Sequence, residues 1–303
     1  MNDTPLEAVL RRDRAVVIVS LVVIAAVAWA YVLWLAADMA MPAAAPIATG
    51  GDMAGMDMSG MSGDKSGAGV AGMDMAGMTS AGGSDMGAGM GPGFRAWAAA
   101  DFAFIFAMWS VMMVGMMTPS VAPMLLLYAG VGRRAVGSGR PIASTAWFFA
   151  GYLLVWIVFS MVATGAQWLL TSLALLSPSM AAKGTVFGGV VLVAAGLYQW
   201  TPMKGVCLSQ CQAPIAFLSS HGGFRTAPLG ALRLGMEHGA YCLGCCWALM
   251  ALLFVGGVMN VLWIAGLAAL VLLEKIVPAG QWLPRISGAL MIAAGGWLLS
   301  GAF

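Results

Sequence analysis

The sequence predicts an all-α membrane protein, a polytopic helical bundle of about seven spans with a disordered methionine-rich loop. Three observations predict it. Of the 303 residues, 61% are hydrophobic and 9% charged, whereas an ordinary soluble domain carries about 25% charged residues. Several apolar runs reach the roughly 20 residues that cross a bilayer core of about 30 Å. One long polar segment, by contrast, has almost no branched or aromatic side chains and cannot bury a core. Such a chain cannot coat a water-facing surface, which excludes a soluble enzyme. A net charge of +2 is too small to argue for nucleic acid.

Taken in order, the first span covers 15–37. It follows Arg11, Arg12 and Arg14 and is too long for the apolar region of a signal peptide, so it reads as a retained helix. The second, 97–130, is long and contains Pro119 and Pro123, which remove backbone donors and should kink it. The third to fifth follow at 142–170, 184–203 and 239–259. The sixth, 261–278, is short and suited to a re-entrant segment, and the seventh is 284–302. Residues 213–233, with Pro214, Gly222, Gly223 and Pro228, read as a hairpin at the membrane surface. Three regions result: 1–37, a tail and first span; 38–96, the loop; and 97–303, a six-span membrane domain.

Orientation follows from the basic residues, because positive charge is disfavoured in short translocated loops. With the N-terminus inside, Arg11, Arg12, Arg14, Arg133, Arg134, Arg140, Lys204, Arg225, Arg233, Lys275 and Arg285 are cytoplasmic, and only Lys65, Arg95 and Lys183 are outside. This predicts a bacterial inner-membrane protein, surrounded by lipid, with its N-terminus cytoplasmic and its C-terminus periplasmic.

The loop holds eleven of the 25 methionines and no cysteine. A Met-Asp-Met-x-Gly-Met unit recurs, carrying Met56, Met58 and Met61 and then Met73, Met75 and Met78. Met in a solvated loop has no packing role. Thioethers are soft, neutral ligands that favour Cu(I), and they are not consumed by disulfide formation in an oxidising compartment. The interleaved Asp57 and Asp74 favour cation capture. The plainer alternative is a drifting linker in which Met is incidental.

A second methionine pattern lies in the second span. Met108, Met112 and Met116 recur every fourth residue, which stacks them on one helical face over roughly 12 Å. Met113 and Met117 form a second row, and Met124 continues it. A ladder of weak thioether sites suits an ion that must enter and leave. Met is also an adaptable filler of helix interfaces. Asp101, near the start of this span, is placed either for cation capture or simply at the interface.

All five cysteines lie between 207 and 246, on the side predicted to be reducing, where structural disulfides are disfavoured. His238, Cys242, Cys245 and Cys246 fall within an arc of roughly 100° on one helix. Cys207 and Cys211, one turn apart, could meet them if the intervening segment folds back. Thiolates with one imidazole suit Cu(I) first, with zinc or iron as lesser alternatives. Buried cysteines also serve as small apolar side chains. Glu237 is a candidate to orient a metal ligand, and Glu274 with Lys275 reads as an interfacial pair.

Residues 108–124 (MWSVMMVGMMTPSVAPM), 198–204 (YQWTPMK) with Cys207 and 211–214 (CQAP), and 235–247 (GMEHGAYCLGCCW) carry a resemblance. Over roughly 97–280 the chain resembles a family of predicted metal-binding integral membrane proteins known only as a domain of unknown function. That resemblance implies metal binding without a reaction. The loop is similar to Met-rich segments of periplasmic copper-resistance proteins, and the Met spacing in the second span to that of eukaryotic copper importers.

The expectation is therefore an integral membrane copper(I)-binding protein for copper transport or handling. Its expected partners are the metal ion and lipid, with a copper chaperone or a larger membrane complex beyond them. The rival classes are a non-transporting assembly subunit of a membrane oxidase and a membrane thiol or metal oxidoreductase.

Overall fold

The structure, a computed structural model, describes residues 5–40, 97–137, 143–177, 180–277 and 282–301. The loop methionines, Met56, Met58, Met61, Met73, Met75 and Met78, lie outside the described residues. The described part is helical, with ten elements: α1 (Pro5–Ala40), α2 (Ala99–Gly137), α3 (Thr145–Ser172), α4 (Thr185–Tyr198), α5 (Pro202–Gln212), α6 (Pro214–Ser220), α7 (Pro228–Ala251), α8 (Leu253–Gly256), α9 (Val261–Ile276) and α10 (Trp282–Leu299). Among the described residues the only β pairing is an isolated bridge between Leu176 and Ala182.

Five segments are long and apolar enough to cross a membrane: Ala15–Asp38, Ala99–Gly132, Thr145–Ser172, Pro228–Gly256 and Trp282–Leu299. A sixth is the pair α4 and α5, bent by 66°. The expected span 184–203 thus ends in a bend. The bend arises because Thr201 starts a new helix, its hydroxyl accepting from the Lys204 amide at 3.3 Å, with Pro202 in the first turn. The expected sixth span is α9, whose 16 residues rise only about 24 Å, short of a full crossing. Its start is fixed by Asn260, whose side chain accepts from the Trp263 amide at 3.2 Å. The expected hairpin at 213–233 is partly helical, since α7 begins at Pro228, well before the expected start at Gly239.

Several hydroxyls of the apolar helices are satisfied within their own helix, which suits an apolar surrounding, although the hydroxyls of Ser120 and Tyr128 of α2 are buried without a partner among the described residues. Ser110, Thr118, Ser160, Thr164 and Thr171 each donate to the carbonyl four residues back. Outward faces carry Val22, Val27, Val158, Val162, Leu262 and Leu290, a surface compatible with lipid.

Glycines set how closely the helices pack. A Cβ on Gly151 of α3 would stand 2.0 Å from the Leu232 carbonyl oxygen, and one on Gly235 of α7 2.0 Å from that of Phe148. These two helices therefore touch backbone to backbone, as small residues allow in membranes. The same holds for α4 and α10, where Gly189 faces Gly295 and Gly196 faces Gly288. The α3–α7 contact, with α2 packed on α3, encloses the side chains described next.

Candidate metal site

The methionines of α2 divide between two environments. Met108, Met112, Met113, Met116, Met117 and Met124 are all buried. Met112 and Met116 line a narrow crevice with Ala28, Trp29 and Val32 of α1, Gly115, and Ile264 of α9. The neighbouring row, Trp109, Met113 and Met117, is fully buried and turns toward α3. There Trp109 Nε1 donates to Gln167 Oε1 at 2.6 Å. The Tyr152 hydroxyl donates to the Met117 carbonyl oxygen at 3.1 Å and lies 3.1 Å from Cys242 Sγ. The inner part of the methionine helix is thus joined to the cysteines through one tyrosine.

On α7 the expected face forms: His238, Cys242, Cys245 and Cys246 are all buried. The fold-back of α5 also occurs. Cys211 lies beside Cys242 and Cys245, and Cys207 Sγ stands 2.8 Å from where a Cβ of Gly244 would be. Cys242 comes fourteen residues after the start of α7, about 21 Å along its axis. The cluster therefore sits within the bundle rather than at its rim.

The thiols are not arranged as a finished ligand set. Cys245 and Cys246 both turn back and donate to the Cys242 carbonyl oxygen at 3.0 Å. Among the described residues, no three His, Cys, Asp or Glu side chains are grouped to hold a metal ion. Rotation about χ1 would free the two thiols. His238 packs against Phe217 with ring centroids 4.9 Å apart, and against Phe148 and Tyr152. Its Nδ1 is buried with no hydrogen-bond partner among the described residues. Buried polar atoms are nearly always paired, so this nitrogen is an open acceptor or ligand position.

Sequence reasoning missed the charges around the cluster. Glu274 and Lys275 do not form an interfacial pair. Adjacent helical residues diverge by about 100°, and each finds a different buried partner. Glu274 Oε2 pairs with Lys204 Nζ at 2.7 Å, both side chains 2% exposed. Its Oε1 accepts from Gln199 Nε2 at 3.1 Å and from Ser287 Oγ at 3.3 Å. Lys275 Nζ donates to Cys242 Sγ at 2.8 Å. The expectation for Glu237 is corrected, and Asp101 takes the interfacial one of its two expected placements. Glu237 forms an exposed pair with Arg233 at 3.1 Å instead of supporting His238. Asp101 is exposed and accepts from the Ala98 amide at 2.8 Å, a helix-start contact. The buried Lys204 and Lys275 in otherwise apolar segments were the signal that sequence offered for this network.

A family model described as PpoB2, copper chaperone, matches residues 106–298, the stretch holding the Met rows and all five cysteines. It supports the copper-related part of the resemblance drawn from the motifs, not the unknown-function family itself. No curated protein and no solved structure matches the chain.

Proposed function

Because the chain belongs to the PpoB2 copper chaperone family, we propose that it is a membrane-embedded copper(I) chaperone that collects the ion, holds it at the cysteines and hands it to a client protein. The observation that carries this reading is that α5 folds back to bring Cys211 beside Cys242 and Cys245 of α7, with the Lys275 ammonium 2.8 Å from Cys242 Sγ. Thiolates are the preferred ligands of Cu(I). Two thiolates around Cu(I) carry one net negative charge, and a buried charge needs a counter-charge. The Lys275 ammonium already touches Cys242 Sγ and supplies it.

In this reading the Met-rich segment gathers copper through Met56, Met58, Met61, Met73, Met75 and Met78. Met108, Met112 and Met116 hold it transiently within the bundle. Cys207, Cys211, Cys242, Cys245, Cys246 and His238 receive it. Handing over without net passage across the membrane separates a chaperone from a transporter. The test is reconstitution of the copper-loaded protein in vesicles with a Cu(I) chelator on one side or the other. Release to a chelator on a single face, without accumulation inside vesicles, supports the chaperone. Sustained uptake into the lumen would make it a transporter, and no copper loading at all would end the copper reading.

A further inference from the structure

Outside the cysteine cluster, one thioether is held in a way that packing does not require. Met180 lies in the connection between α3 and α4 and has φ 56°, left-handed backbone that bulky side chains rarely adopt. Three contacts hold it there. Its amide donates to the Ser177 carbonyl at 2.9 Å, its carbonyl accepts from the Val258 amide at 3.4 Å, and its sulfur accepts from Gln167 Nε2 at 3.1 Å. Gln167 is 1% exposed, so the Met180 sulfur is directed at a polar group inside the bundle. Met259, next to Val258, is half-buried against the same core.

We propose that the Met180 sulfur forms an entrance station for a soft monovalent cation, from which the ion passes along Met113 and Met117 to Cys242. This rests on the copper reading above and adds a site and a direction to it. Hydrogen bonds and one helix face link the two ends of this route. Gln167, which holds the Met180 sulfur, also accepts from Trp109. Met113 and Met117 follow Trp109 at intervals of four residues on one face of α2. Tyr152 then spans from the Met117 carbonyl to Cys242 Sγ. The station lies at the end of the bundle where α2 begins and α3 and α7 finish.

Gln167 has the right chemistry for a gate. Its amide N–H donates to the sulfur in the metal-free state, and a thioether is a weak acceptor that gives up this bond readily. When the amide swings away, a sulfur lone pair is free for Cu(I) or Ag(I), both of which prefer soft ligands. The route differs from the Met112 and Met116 crevice, which faces α1 and α9.

The test uses the full chain in lipid nanodiscs with Ag(I) as probe, above the capacity of the cysteines. Peroxide oxidation of Met180, read by mass spectrometry on the wild-type protein, should slow several-fold when Ag(I) is present. Met180→Leu should slow the arrival of Cu(I) at the cysteines, read by thiolate-to-copper absorption, and leave the final copper content unchanged. Met113→Leu with Met117→Leu should do the same. Silver that fills the cysteines without protecting Met180, or a Met180→Leu protein that loads at the parent rate, overturns the station and leaves the copper reading standing. A wild-type chain whose cysteines take up neither metal overturns both.

Discussion

Lys275 Nζ lies 2.8 Å from Cys242 Sγ, an ammonium against a thiol in the interior of the bundle. A thiolate without a counter-cation in such surroundings is costly, so the lysine would supply the counter-charge for a metal-bound thiolate at Cys242. Lys275→Met should weaken Cu(I) binding by about 10- to 100-fold, the usual effect of losing a group that supports a metal ligand. Lys275→Arg, which keeps the charge, should restore part of it. Competition with a Cu(I) chelator measures both, and equal affinity for Lys275→Met and the parent would show that the contact is incidental.

The Lys204–Glu274 pair is a structural clamp between α5 and α9. Lys204→Met should destabilise the protein by about 3–5 kcal/mol, because it strands a buried carboxylate. Adding Glu274→Gln should recover much of the loss. Unfolding in detergent micelles across the four proteins of a double-mutant cycle gives the coupling, and additive losses would mean that the two side chains act independently.

Backbone contact between α3 and α7 makes Gly151 and Gly235 intolerant of any side chain. Each clash is with a carbonyl that cannot step aside, so Gly151→Ala or Gly235→Ala should cost about 1–3 kcal/mol or more. Gly165, on the same α3, has open space around its Cβ position. Gly165→Ala should instead be neutral or stabilising by up to about 1 kcal/mol. Thermal unfolding of the three variants checks the contrast, and equal effects would contradict the packing described.

Labelling of the cysteines tests orientation and burial together. Cys207 and Cys211 are half-buried, and Cys242, Cys245 and Cys246 are buried. A membrane-impermeant thiol reagent should leave all five unlabelled in intact spheroplasts. After the membrane is opened, Cys207 should react first. Labelling of Cys207 from outside would reverse the orientation read from the basic residues.

Much of this arrangement was legible because periodicity is local. The spacing of His238, Cys242, Cys245 and Cys246 defines one face whatever surrounds it, and Met108, Met112 and Met116 likewise. The partners of Glu274 and Lys275 were not legible. They lie 70 and 33 residues away, and side-by-side opposite charges invite a local pairing that helix geometry forbids. Met180 was hidden for a related reason, since its significance comes from backbone conformation and from Gln167, not from any repeat. Gln167 itself was a readable signal, an amide well inside an apolar run. So were Gly189 and Gly196, spaced seven apart and matched by Gly288 and Gly295.

Leu at both Met112 and Met116 should leave copper content intact. Volume is nearly conserved, so the packing cost should stay below about 1.5 kcal/mol. If these residues hold copper in transit, loading of the cysteines should slow in the stable double variant. Normal loading would leave them as packing residues of the α1–α9 crevice.

The central claim is that the cysteines of α5 and α7 hold copper. Its most direct measurement is the copper content of the protein purified under reducing conditions, with X-ray absorption at the copper edge to identify the ligands, compared with Cys242→Ser/Cys245→Ser. A serine hydroxyl is a harder and far less ionised ligand than a thiolate. The parent should carry Cu(I) with sulfur neighbours, and the double variant should lose most of the bundle-bound copper while remaining folded. Copper retained undiminished by the double variant, with an unchanged absorption edge, would contradict the account.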